Sequence, residues 1–269
     1  MDHDSGVLAA GPDSVNPVLR RELEYHEKLY SGFAQQHFAR PAVRALRRNM
    51  VTRILRMTGA GPRSRVLSLG CGIGDTELLL APYVANLVGV DLSPAAIRQA
   101  CADRNRLGIT NARFEEGTTA AGEFDAIIAI FFLHHLSDSD LAALPARVAA
   151  QLAPDGVFYS LDPSRQRLSG AIGRRLVPNL MKKYQSPDER ELEAGATAAL
   201  FRSAGLETQT TMYDFGSSPL AGLFPGWRFG YQAARALDDL LLRIPLLRRA
   251  GSNFEIVARY VPCGGHRKK

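Results

Sequence analysis

Between residues 65 and 162, short apolar runs of strand length alternate with segments of helical periodicity. No other feature constrains the fold as tightly. "RVLSLG", "ANLVGVD", "ARFEEG", "FDAIIAIFF" and "GVFYSLD" read as strands. "DTELLLAPYV", "SPAAIRQACADRNRLG" and "SDSDLAALPARVAAQL" repeat their apolar residues at helical spacing. The second of these has Ser93 as its cap and Pro94 in its first turn. Strands joined through helices run parallel, so the pattern predicts a parallel sheet covered on both faces.

The two ends depart from that rhythm. "VLRRELEYHEKLYSGFAQQHF" and "AVRALRRNMVTRILRM" read as two helices broken near Pro41, the second ended by "GAGP". Late in the chain, "DERELEAGATAALFRSAG" reads as a helix and "LETQTTMYDF" as a strand. A helical stretch over about 220–248 then precedes the final strand "NFEIVARYV". The last two strands lack an ordinary crossover helix, so they are expected to pair antiparallel at the sheet edge. The organisation expected is a disordered tail over 1–17, one domain over 18–262 and a basic tail over 263–269. Within the domain, 18–57 form a helical cap, with helical insertions at 163–186 and 218–250.

The chain is 46% apolar and 22% charged, as in an ordinary globular protein. Its net charge of +6 lies partly in the terminal "GGHRKK", and surface solubility accounts for an excess of this size. Three widely spaced cysteines with no CxxC pair form neither a disulfide framework nor a zinc-ligand pattern, and no metal site is expected. The acidic N-terminus carries no signal-peptide pattern, and "AIIAIFFL" is too short to span a bilayer. A cytoplasmic location is expected.

"RVLSLGCGIGD" places Gly70, Gly72 and Gly74 directly after the first strand. A dinucleotide fingerprint would put glycine where Asp75 stands, and a P-loop would need a lysine after the last glycine. Asp75 at a helix start would also repel a phosphate. The loop is therefore expected to approach a ligand that is not a polyphosphate. Asp91 ends the second strand, where a carboxylate can accept both hydroxyls of a ribose. S-adenosylmethionine, a nucleoside bearing a sulfonium and an amino-acid tail, has those features.

"VLSLGCGIG", "VGVDLSPAAI", "FEEGT" and "FDAIIAIFFLHHL" resemble, in order and spacing, the class I S-adenosylmethionine-dependent methyltransferases over about residues 64–162. The resemblance implies a Rossmann-like, seven-stranded, mostly parallel sheet with a reversed C-terminal hairpin, helices on both faces and helical lid additions. It implies that Gly70, Cys71, Gly72 and Gly74 line the cofactor, that Asp91 holds its ribose and that Leu92 lies against its adenine. Thr118 and Thr119 stand where the family often has an acid facing the adenine amine, and Phe131 would lie beside the cofactor. Ser68 occupies a position that is frequently acidic and supports the cofactor's amino group. Tyr30, in the N-terminal helices with Tyr25 and His37, is expected to make a further cofactor contact.

For the chemistry, His134 and His135 follow the fourth strand on the ligand edge, and either imidazole could take a proton from an acceptor. The alternative, favoured for both, is that the pair packs and caps the next helix. Asp162 ends the fifth strand and could orient an acceptor or form an Asp-Pro turn. No Asn-Pro-Pro-aromatic signature follows the fourth strand, and no basic-aromatic stacking pattern is present, which disfavours nucleic acid. The insertions mix arginine and lysine with apolar residues. A lid over a hydrophobic small-molecule acceptor, a homodimer interface and a peripheral membrane contact all remain open for them. The resulting expectation is methyl transfer to a hydrophobic small molecule, with oxygen favoured over carbon or nitrogen. The alternative is a non-catalytic S-adenosylmethionine-binding or membrane-associated regulatory protein.

Overall fold

A computed structural model describes Arg21, Glu24, residues 37–167 and residues 190–260. Helix α1 (Pro41–Thr58) starts with proline at its first position. It buries Ala42, Val43, Leu46, Met50 and Ile54 along one face and ends at Gly59, whose left-handed φ of 71° lets its amide reach Leu55 O. Strand β1 (Arg65–Leu69) follows, buried from Val66 onward. Helix α2 (Glu77–Leu80) is a single turn that gives way to a 3₁₀ turn at Ala81–Tyr83, so the longer helix expected over "DTELLLAPYV" is cut short. Pro82 cannot continue the hydrogen-bond ladder.

The remaining elements are β2 (Asn86–Asp91), α3 (Pro94–Arg106), β3 (Ala112–Glu116), β4 (Phe124–Ile130), α4 (Asp138–Gln151) and β5 (Leu152–Pro163). After them come α5 (Ala194–Ser203), β6 (Leu206–Asp214), α6 (Ser217–Leu223), α7 (Arg228–Leu241) and β7 (Asn253–Tyr260). Helix α5 begins later than the sequence pattern indicates because Glu193 caps it, accepting from the amides of Gly195 and Ala196. The stretch expected to be helical over 220–248 is divided into α6, α7 and a 3₁₀ turn at Leu247–Ala250.

The seven strands lie in the order β3-β2-β1-β4-β5-β7-β6. Strands β1 to β5 pair parallel, and β7 runs antiparallel to both β5 and β6, which is the reversed hairpin anticipated from the sequence. One apolar core joins Val66, Ile128 and Tyr159 to α1, α2 and α3. The other joins Leu67, Ile127 and Phe158 to α4 and α5. Helices α6 and α7 stack outside α1. Glu255 of β7 is fully buried yet satisfied by Tyr159 Oη at 2.6 Å, Thr211 Oγ1 at 2.7 Å and Arg53 Nε at 2.7 Å, which locks α1 onto the sheet. Strands β1, β2, β4 and β5 thus end together on one edge, and that edge carries the candidate site.

Candidate functional site

Gly70, Gly72 and Gly74 have φ values of 65°, 52° and 73°, in the region that favours glycine over any residue with a Cβ. That requirement explains the loop's composition. A Cβ on Gly70 would also collide with the Phe132 ring, and one on Gly74 with Phe114. The loop is tied to the tip of β2. Cys71 N donates to Val90 O at 3.0 Å, and Gly72 N donates to Asp91 Oδ2 at 2.8 Å. Asp91 Oδ1 accepts from Ser93 N at 2.9 Å. Each of these carboxylate oxygens accepts one amide, and a carboxylate oxygen has room for a second donor. Leu92 beside Asp91 is exposed.

Two of these residues have side chains engaged within the protein. The Cys71 thiol is buried against Gly89, and desolvation raises its pKa. The Thr119 hydroxyl donates to Gln151 Oε1 at 2.7 Å, at the C-terminal end of α4, and this takes Thr119 away from the strand tips. Thr118 is exposed, next to Gly117, whose amide binds Asp91 O at 3.0 Å. Tyr25 and Tyr30 lie outside the described residues, as does most of the 163–186 insertion.

Ser68 is buried, and its hydroxyl donates to Glu77 Oε1 at 2.7 Å. Glu77 is 2% exposed, and its other oxygen has no hydrogen-bond partner. Burial, reinforced by the charge of Asp75, pushes its carboxyl up to about 7. The carboxylate that the sequence lacks at position 68 therefore arrives from α2, nine residues later. A lone acid in the otherwise apolar "TELLLAP" was the available signal. Asp75 is matched by Arg47 of α1, with Nε 2.6 Å from Oδ2, and Arg47 also lies over the rings of Phe38 and Phe131. This corrects the charge argument drawn from Asp75: its charge is compensated, and one-turn α2 has little dipole to oppose it.

Phe131 follows β4 with φ of 54°, the only non-glycine residue with positive φ among the described residues. Strain of this kind persists where surrounding structure enforces it. Here the Phe131 amide binds Leu161 O at 2.7 Å, and a 3₁₀ turn at Leu133–His135 follows. Asp162 of β5 is fully buried beneath that turn. Its Oδ1 accepts from His134 N at 3.3 Å and sits 3.0 Å from His134 Nδ1. Its Oδ2 has no partner, and burial raises the carboxyl to about 7. His134 is buried and lies 4.0 Å, ring to ring, from half-buried His135. The structure thus joins His134, His135 and Asp162 into one cluster, with Asp162 fixing both the turn and the ring orientation of His134.

A strand order of 3-2-1-4-5-7-6, a left-handed glycine loop after β1 and an acid ending β2 define a Rossmann-like fold of the class I methyltransferase type. The chain belongs to the Methyltransferase domain family, which its residues 37–211 match. It is 35% identical over 103 residues to an uncharacterized methyltransferase, YcgJ, of Bacillus subtilis, covering 36% of this chain and 40% of that protein. It is 29% identical over 152 residues to a ubiquinone biosynthesis O-methyltransferase of Ralstonia nicotianae, covering 53% and 63%. The chain thus spans less than two thirds of the length of these relatives. Magnesium protoporphyrin IX methyltransferase from Synechocystis, solved with bound S-adenosylhomocysteine, shares the fold with a TM-score of 0.61 at 14% identity, over 89% of this chain and all of that one.

Proposed function

We propose that this protein is an S-adenosylmethionine-dependent methyltransferase acting on a hydrophobic small molecule, with a hydroxyl oxygen as the favoured acceptor atom. The observation that carries the reading is the glycine loop, left-handed at three positions and tied through Gly72 to Asp91. Asp91 would hold the ribose, and Leu92 would cover the adenine. The unpartnered buried oxygen of Glu77 fits a cationic ammonium, and Arg47, already at the loop, suits a carboxylate. Those residues are complementary to an α-amino-acid tail on a nucleoside. When bound, such a cofactor supplies an electrophilic methyl group on sulfur.

The chain's own part in the reaction is largely positioning, because an in-line displacement gains most from alignment of the reacting atoms. Phe131, in its strained conformation, holds its ring under the Arg47 guanidinium at the end of β4. His134, oriented through Nδ1 by Asp162, or the more accessible His135 would take the proton that an acceptor hydroxyl gives up. Neighbouring relatives act on varied substrates, including the rRNA methyltransferase RlmD of Xanthomonas campestris, so the acceptor class rests on the apolar residues that the sequence carries in the insertion over 163–186.

The non-catalytic reading has one observation in its favour: Asp162 spends its hydrogen bonds on the 3₁₀ turn, as a purely structural acid would. Release of S-adenosylhomocysteine from S-adenosylmethionine separates the two readings, measured with phenolic, polyketide-like and lipid-like acceptors. Acceptor-dependent turnover supports the enzyme. Cofactor binding without turnover on any acceptor favours the binding module.

A further inference from the structure

Helix α7 is oriented opposite to an ordinary surface helix. Its inward face carries polar anchors: Tyr231 Oη accepts from Asn49 Nδ2 at 2.8 Å, and buried Asp238 accepts from Ser217 N at 2.9 Å. Its outward face is apolar, running through Phe229, Leu237 and Leu240 at helical spacing with Ile244 just past its end, all exposed. Phe229 is 80% exposed and Leu246, just beyond the helix, 88%. Trp227, at the other end, is 57% exposed and packs edge-on against exposed Phe224. Isolated exposed apolar residues need no explanation, but a continuous ridge of them marks an interaction site.

What lies beside the ridge identifies the occupant. Helix α1, against which α7 packs, contains five arginines and no acid. Arg47 and Arg53 turn inward to Asp75 and Glu255. Arg44, Arg48 and Arg56, four and eight residues apart, share the opposite face and are exposed, with no ion pair among the described residues. Arg44, Arg48 and Arg228 line one cleft of about 360 Å³ between α1 and α7. Arg243 is exposed on the other flank of the ridge. The acid nearest the ridge, Asp239, is already paired with Arg235. An apolar helical ridge bordered by unopposed arginines is complementary to acyl chains below a layer of phosphates.

We propose that α1 and α7 form a docking face for an anionic lipid bilayer, with the α7 ridge entering the interface and the α1 arginines meeting lipid phosphates. No helix among the described residues is long and apolar enough to cross a membrane, so the contact is peripheral. The inference stands apart from the methyl-transfer reading, since it uses neither the glycine loop nor the histidines.

The test is binding of the full chain to vesicles of phosphatidylcholine alone and of an equal mixture of phosphatidylcholine and phosphatidylglycerol. Trp227 is the chain's single tryptophan, so its fluorescence reports insertion directly. Expected are co-sedimentation and a blue shift with the anionic vesicles only. Phe229→Asp and Leu240→Asp, at exposed positions that should not disturb folding, are expected to lose at least about tenfold in binding and to abolish the shift. Arg44→Gln and Arg48→Gln should each weaken binding about fivefold. Three results would overturn the proposal: no association with either vesicle, equal binding to both, or binding unaffected by the ridge variants. A chain that is dimeric in solution, becomes monomeric on Leu240→Asp and ignores vesicles would make the ridge an interface between copies instead.

Discussion

Replacing Glu77 with glutamine should strengthen the empty protein while weakening its hold on the cofactor. Burial raises the Glu77 carboxyl from an ordinary 4.5 to about 7. The folded state therefore retains a proton that the unfolded chain gives up, and keeping Glu77 ionised costs the fold about 3 kcal/mol once the pH exceeds 7. Below about pH 4 the group is protonated in both states and the cost vanishes. Glutamine can still accept from the Ser68 hydroxyl and carries no charge. The variant's gain in unfolding free energy over wild type should thus be near zero at pH 4 and grow to about 3 kcal/mol by pH 8, read by urea denaturation at several pH values. An ammonium bound to the orphan oxygen would be a charge-assisted contact, so the same variant should bind S-adenosylhomocysteine about 10- to 150-fold more weakly at pH 8. Wild-type affinity should itself rise from pH 5 to 7 as binding expels the Glu77 proton. A stability difference independent of pH, together with unchanged affinity, would refute the reasoning.

Other perturbations read other parts of the molecule. Asp91→Ala should weaken cofactor binding by about 1.5–3 kcal/mol and loosen the glycine loop, seen as faster amide exchange at Gly72, which loses its carboxylate acceptor. Arg53→Ala strands Glu255 in the core and should cost about 3 kcal/mol in denaturant unfolding, whereas Arg53→Ala combined with Glu255→Gln should recover part of that loss. His134→Ala should slow turnover at least tenfold with cofactor affinity nearly unchanged; equal activity would leave the proton transfer to His135 or to solvent. Asp162→Asn should relieve a carboxyl that burial holds near 7, giving a variant more stable than wild type above that pH but with a shifted pH–rate profile.

The parallel sheet was legible because β1, β2 and β4 are apolar runs bounded by turn residues, and the glycine loop because no other residue type takes its three left-handed positions. The antiparallel pairing of the last two strands was anticipated, although α6 and α7 lie between them. Less visible was anything depending on which way a side chain turns. Thr119 and Cys71 sit at the expected places along the chain, yet Gln151 and Gly89 draw their side chains elsewhere. Glu77 escaped notice because it lies within an apolar run and meets Ser68 only after the strand-to-helix turn folds back. Arg47 comes from a helix whose packing against the loop no local pattern specifies. The outward-facing ridge of α7 was misleading in another sense, since helical periodicity gives an apolar face but not the side of the molecule it occupies.

The central claim is that the loop from Gly70 to Gly74 and Asp91 together hold a nucleoside with an amino-acid tail and no pyrophosphate. Calorimetric titration of the purified protein with S-adenosylhomocysteine and, separately, with NADH tests it most directly. The account predicts one equivalent of S-adenosylhomocysteine bound, a markedly weaker isotherm for Asp91→Ala, and no heat from NADH. Binding of NADH with none of S-adenosylhomocysteine would contradict it.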